Sequence, residues 1–340
     1  MIPTLYTTMK MKIDDELNAE VNQVLEGYAK TINELKKKGL MKPGEGKRDL
    51  KISDYHFLAE KFMKKDPAKH KVSGNWGLTM FMWHYFVILW NLMSRNDSVD
   101  SLMMTHIEWS EDALIIEEQG HKADQAGEKK FGKHIYANPY HPTICPILSF
   151  AVFAFSSGIR LAGGSQQLFA GTNSKDRFSK NLREEVLRLT AEEIVILGCD
   201  PGDVGTHSCR KGSGTFCLGQ IAGPNPVTVI LRMGQSLGKI RDAYVFQCEG
   251  GDQLCGRMVC GLPFDDEKFG VLPPHFTVEA NNFLTDEYWT SIVPGYDNYP
   301  SGFKTTFPFL LASLLYHEKF LRKNVPASHQ IFMSRIFVDN

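Results

Sequence analysis

A histidine and an arginine stand three residues apart in the segment GTHSCRKG, as His207 and Arg210. On a helix that spacing puts both side chains on one face. Arginine presents a planar fork that fits a phosphodiester, and a neighbouring histidine can donate or accept a proton near neutral pH. The surrounding glycines invite comparison with a nucleotide loop, but Gly205 to Lys211 lacks the second glycine directly before lysine that a P-loop requires. Three further residues of useful chemistry lie at a distance: Arg95 after a long apolar run, Lys122 in a polar stretch, and Tyr244 in MGQSLGKIRDAYVF. Lys122 competes for its place with Lys129, Lys130 and Lys133 in the same stretch. An arginine fork beside a proton-carrying histidine is chemistry suited to a phosphodiester.

These residues need elements to hold them. Residues 76–92 are apolar on all sides and predict a buried helix, with Arg95 just beyond it; the stretch 78–93 contains His84 and Asn91 and falls short of the roughly 20 residues of a membrane span. Leu114, Ile115 and Ile116 read as one strand and His134, Ile135 and Tyr136 as another, with the polar QGHKADQAGEKKFGK between them as a long hairpin tip. A helix resumes over 145–155. Thr206 is placed to cap a helix from His207 to about Leu218, and Asn225 followed by Pro226 opens a short one, VTVILRM, that Gly234 ends. A third helix is expected over about 237–246. Upstream, Leu17, Val21, Val24, Leu25, Tyr28, Ile32 and Leu35 recur at spacings of three and four and predict an amphipathic helix within 11–40, while Ser53 is a candidate cap for DYHFLAEKF. Residues 250–306 show no clear period, and 307–321 return to helical apolar spacing.

Arginine, lysine, histidine, arginine and tyrosine in this order resemble the tyrosine recombinase (phage-integrase-like) family. That family reads L-G-[His or Trp]-x-S before the nucleophile, and here Met233, Gly234, Gln235 and Ser236 precede Tyr244, nine residues after Gln235. More narrowly the chain resembles the Crypton-type recombinases of eukaryotic mobile elements, through HKADQAGEKKFGKHIYANPYHPTICPILSFAVF, DVGTHSCRKGSGTFCLG and GPNPVTVILRMGQSLGKIRDAYVFQCEGGDQLCGR. The resemblance covers about 40–276. It implies a mainly helical catalytic domain with a small antiparallel sheet, an α+β arrangement. It also implies double-stranded DNA as substrate, self-assembly into a dimer or tetramer on DNA, a nuclear location and no cofactor. Tyr244 would form a 3′-phosphotyrosyl link, Arg95 and Arg210 would bind the non-bridging oxygens, His207 would assist the nucleophile and Lys122 would protonate the departing 5′ oxygen. Lys211, Arg232, Lys239 and Arg241 would face DNA; with Arg210 they set five basic residues against one acid, Asp242, over 205–245.

Two positions depart from the family pattern. Gln235 stands where His or Trp is usual; its amide can still hydrogen-bond a phosphate oxygen but carries no charge. Ser98 stands where an acidic residue commonly follows the first arginine, flanked by Asp97 and Asp100. They motivate an alternative, a recombinase-derived DNA-binding protein without activity; a third reading takes 207–233 as a helix–turn–helix module. The expected division is a helical segment at 1–40, an abbreviated counterpart of the family's DNA-clamping region, then a catalytic domain at 41–262 and an extension at 263–340 that docks on a neighbouring subunit. The N-terminus lacks the apolar run of a signal peptide. A net charge of -1 gives no global attraction to nucleic acid, so local charge must supply it. Seven cysteines without a C-x-x-C pair read as reduced thiols, with Cys248, Cys255 and Cys260 the nearest approach to a zinc set.

Overall fold

The computed structural model describes residues 14–41, 46–67, 76–118, 132–156, 166–171, 173–237 and 248–338. The chain divides into two compact units, Met1–Gly46 and Lys47–Asn340. Among the described residues the first contains one helix, α1 (Asp15–Lys37), capped by Asp14, whose carboxylate accepts from the backbone N–H groups of Glu16 and Leu17 at 3.0 and 3.3 Å. Its first turn is acidic and its last basic, as the helix dipole favours. No side chain of α1 is buried.

The second unit is mainly helical with one small antiparallel sheet. Among the described residues its helices of five residues or more are α2 (Ile52–Met63), α3 (Trp76–Leu92), α4 (Asn96–Asp100), α5 (Pro146–Phe155), α6 (Ser174–Leu187), α7 (Ala191–Leu197), α8 (Thr206–Leu218), α9 (Pro226–Arg232), α10 (Glu249–Val259), α11 (Asp286–Ile292), α12 (Phe307–Tyr316) and α13 (Glu318–Asn324). The expected apolar helix is α3, and every residue from Thr79 to Leu92 is buried. A helix apolar all round has no face for water and becomes the centre about which others pack. Tyr55 of α2 stacks on Trp90 at 4.2 Å, Phe150 of α5 on His84 at 4.8 Å, and Phe178 of α6 on Tyr85 at 4.4 Å. His84 meets Ser149 Oγ at 3.1 Å through Nδ1, and burial pushes its pKa down to about 3, so it packs as a neutral ring. Among the described residues no helix is long and apolar enough to cross a membrane.

The sheet has the order β1 (Ile107–Ser110), β2 (Ala113–Glu117), β3 (Gly132–Ile135), all antiparallel. Its register pairs Leu114 with Ile135 and Ile116 with Lys133. Alternation along the strands therefore turns Lys133 inward with Leu114, Ile116 and Ile135. The strands at 114–116 and 134–135 are the expected ones; β1 extends the sheet by one.

Several boundaries differ from expectation. α2 begins at Ile52, before Ser53, because the Asp54 carboxylate reaches back to the Lys51 N–H at 3.1 Å. Thr206 is the first residue of α8, whose opening turn is closed by Ser208 Oγ accepting from the Gly205 N–H at 3.0 Å. Asn225 does cap α9, accepting from Val227 N–H at 2.8 Å, and Gly234 leaves it in the left-handed region. The helix expected over 237–246 falls outside the described residues but for Leu237. Helices α6, α7 and α10 occupy stretches that the spacing leaves unassigned. The division expected at 262/263 is not a boundary between compact units: α12 packs on α5, Phe309 stacks on Trp109 at 3.9 Å, and Phe303 meets Phe150 edge-on. Residues 263–338 thus complete this unit's own core.

Arg232, expected to face DNA, is fully buried at the end of α9. Its guanidinium pairs with Asp252 at 2.5 Å and donates to the carbonyls of Asn91 and His134, each at 3.0 Å. Asp252 also accepts from the N–H and ring Nδ1 of His134, at 2.8 and 2.9 Å. One ion pair thereby ties α9, α10, β3 and α3 together, out of reach of any phosphate. Burial pushes the Asp252 carboxyl up, but Arg232 and His134 outweigh it and hold it at about 2.

That value lies below the roughly 4 of an unfolded aspartate. The stabilisation is therefore complete above about pH 4 and lost as pH falls towards 2, an effect of roughly 2–3 kcal/mol. Asp252→Asn should cost about 3 kcal/mol at neutral pH by leaving Arg232 buried without its counter-charge. Denaturant unfolding between pH 2 and 7 checks both: the variant should show a flatter acid limb than wild type.

Candidate active site

Four of the ten residues expected at the site lie outside the described residues: Lys122, Tyr244, Lys239 and Arg241. The other six are Arg95, His207, Arg210, Lys211, Arg232 and Gln235, and they sort into distinct environments.

The centre is the chain reversal after α3. Met93 adopts φ +54°, a left-handed conformation that costs a non-glycine residue about 1–3 kcal/mol. It persists because three consecutive residues are gripped from two sides. The Met93 carbonyl accepts from Arg210 Nη1 at 3.0 Å, and the Leu92 carbonyl from Lys133 Nζ at 2.9 Å. Ser94 Oγ accepts from Lys133 at 2.8 Å and donates to the Glu118 carboxylate. Lys133 pairs with Glu118 at 3.0 Å. The reversal delivers Arg95 to the start of α4, half-buried.

Arg210 reaches the same place from α8, and only 7% of it is exposed. Burial first, and then the positive charge of Arg95, push its guanidinium down to about 10, while Glu118 pulls the other way. It remains a cation at neutral pH. Its Nη2 is buried and has no hydrogen-bond partner among the described residues. A donor left in that state costs more than a satisfied one, so the site favours an acceptor, above all an anion. Two arginines separated by 115 positions are thus brought within electrostatic reach, one with a donor unused.

α8 is held against the chain that precedes α2, where Leu50 N–H donates to the Ser208 carbonyl at 3.0 Å. The approach is so close that a Cβ on Gly212 would lie 2.0 Å from the Leu50 carbonyl oxygen. Only glycine fits there, which explains a glycine inside a helix two residues from Arg210. His207 is exposed one turn before Arg210. Lys211 is exposed and donates to the Lys47 carbonyl at 2.7 Å. Gln235 is exposed directly after the left-handed Gly234.

Lys133 is the lysine of its stretch that the described structure brings to the arginines. It is buried, and its pKa is lowered by burial against the opposing pull of Glu118. Spacing alone does not single it out, although its inward place in a two-residue alternation is the signal that would have. Met93, Ser94 and Glu118 carry no such signal. Cys248, Cys255 and Cys260 have separate surroundings: Cys248 is exposed, Cys255 Sγ lies 3.6 Å from Met93 Sδ and 4.0 Å from Cys217 Sγ, and Cys260 donates to the Arg257 carbonyl. Among the described residues no group of three His, Cys, Asp or Glu is placed to hold a metal ion. Compared with protein-family models and with curated proteins, the chain matches none.

Lys133→Met should destabilise the protein by about 3 kcal/mol, since Glu118 stays largely buried without its cation. Adding Glu118→Gln should recover part of that loss, and a double-mutant cycle in chemical denaturation measures the coupling. Strict additivity of the two substitutions would show that the pair does not brace the reversal.

Proposed function

We propose that this chain is a DNA strand-exchange protein of the tyrosine recombinase class. The observation that carries the reading is the pairing of Arg95 with Arg210, whose Nη2 is buried without a partner. A phosphodiester between the two arginines would supply the missing acceptor and relieve the repulsion between them. In the proposed reaction the Tyr244 hydroxyl attacks phosphorus, the bond to the 5′ oxygen breaks, and the chain's 3′ phosphate becomes joined to tyrosine. The tyrosine proton leaves towards His207 or solvent, and a lysine of the β2–β3 stretch, Lys122 in the family-based assignment, protonates the departing oxygen. Bond energy is kept in the phosphotyrosyl ester, so strand joining needs no nucleotide. A mainly helical unit with a small antiparallel sheet is consistent with this class.

Gln235 favours a second reading. It is exposed, uncharged and unable to move a proton, where the family has His or Trp. A DNA-binding descendant without activity would retain the arginine pair and lose the covalent step.

The test is a covalent adduct on nicked or bridging-phosphorothiolate suicide duplexes carrying the terminal sequences of the matching element. Wild type should give a band resistant to denaturation, and Tyr244→Phe none. Arg210→Ala should lower adduct formation by about 10²–10³-fold, the range for removing one preorganised donor to developing charge. DNA bound by wild type without any adduct would reject the enzyme and leave the inactive descendant; no binding at all would reject both.

A further inference from the structure

Helix α1 presents an apolar stripe that no described residue of its own unit buries. Successive residues turn by about 100°, and Leu17, Val21, Val24, Leu25, Tyr28, Ile32 and Leu35 all fall within roughly 100° of arc. Val24, Leu25 and Tyr28 are 71%, 55% and 65% exposed, and no residue of the helix is buried. An isolated helix of this length is marginal in water, because helices in proteins draw most of their stability from packing an apolar face.

We propose that α1 pairs with α1 of a second copy of this chain, antiparallel. The stripe is self-complementary about its middle, near residue 26. In the antiparallel arrangement Leu17 meets Leu35 of the second copy, Val21 meets Ile32, and Val24 meets Tyr28. The charges select the direction. Asp15 and Glu16 occupy the first turn and Lys36 and Lys37 the last, with Lys38 beyond. Antiparallel pairing lays the acidic end of each copy beside the basic end of the other, whereas parallel pairing stacks like charges at both ends. The dipoles of the two helices also oppose. At 23 residues the seam is about 35 Å long, at the small end of stable interfaces, so affinity in the roughly micromolar range is expected.

The experiment is sedimentation equilibrium of the full chain, without DNA, over a micromolar concentration series. Wild type should show a monomer–dimer equilibrium. Val24→Asp with Tyr28→Asp should weaken it at least about tenfold while circular dichroism shows the remainder of the protein folded. Replacing the three lysines at 36, 37 and 38 by Glu should weaken it as well, and mixing that variant with Asp15→Lys, Glu16→Lys protein should restore a heterodimer. For direction, Leu17→Cys protein mixed with Leu35→Cys protein, each carrying Cys248→Ser, should cross-link heterotypically and neither should cross-link alone. A monomer at every concentration, a dimer indifferent to Val24→Asp and Tyr28→Asp, or homotypic cross-links would each overturn the proposal. With no DNA present, these outcomes are separate from those of the adduct assay.

Discussion

The left-handed turn at Met93 is the constraint on which the rest of the site depends. α3 ends inside the core, since Met93 and Ser94 after it are themselves buried, so the chain must turn there without stranding the last carbonyls. Here those carbonyls are taken by cations: Leu92 by Lys133 and Met93 by Arg210. Each cation comes from a different element, one from β3 and one from α8. The reversal is therefore a joint between the sheet and the helix as well as the end of α3. Arg95 follows it by two residues, so whatever sets the turn also sets the arginine.

Arg210 and Arg232 make an instructive pair. Both are buried and both donate to main-chain carbonyls near the end of α3. Arg232 has a carboxylate at 2.5 Å, and that pair is stabilising only because both partners are present. Among the described residues Arg210 has no ion pair; Glu118, the acid that acts on it, is held by Lys133 and Ser94. Burial raises the cost of any unmet charge, so the difference between the two arginines is large. One is a rivet, and the other is a cation poised for an anion.

The sequence showed much of this frame and little of that distinction. α3 was legible because a run apolar on every side admits few alternatives, and β2 and β3 because their apolar residues sit between turn-forming segments. Helix α10 was not, because Gly250, Gly251 and Gly256 read as loop. Gly256 is there for close packing instead, since a Cβ would sit 2.3 Å from the His134 carbonyl oxygen. Arg232 looked like a DNA ligand because its counter-charge, Asp252, lies twenty residues further on in the chain. Local basicity cannot report a partner that only tertiary structure supplies. The aromatics of 283–306 had no period for the same reason: Trp289, Tyr299 and Phe303 pack by three-dimensional proximity to Phe307 and Phe150.

On the proposed reading, this arrangement also bears on how a rate advantage would arise. Lys133 and Glu118 form a neutral pair that braces the turn, and among the described residues neither Arg95 nor Arg210 has an ion pair of its own. A bound phosphodiester brings one negative charge and would neutralise half of their combined charge. As the tyrosine oxygen attacks, a second negative charge develops on the phosphoryl oxygens, and the mismatch vanishes. Two fixed guanidiniums would then bind the transition state better than the substrate, and only such differential binding accelerates chemistry. Fixing them has a cost, namely the repulsion between like charges and the buried donor of Arg210. On this reading, the bracing of Leu92 and Ser94 by Lys133 and Glu118 would keep the protein from escaping that cost by letting the two arginines drift apart.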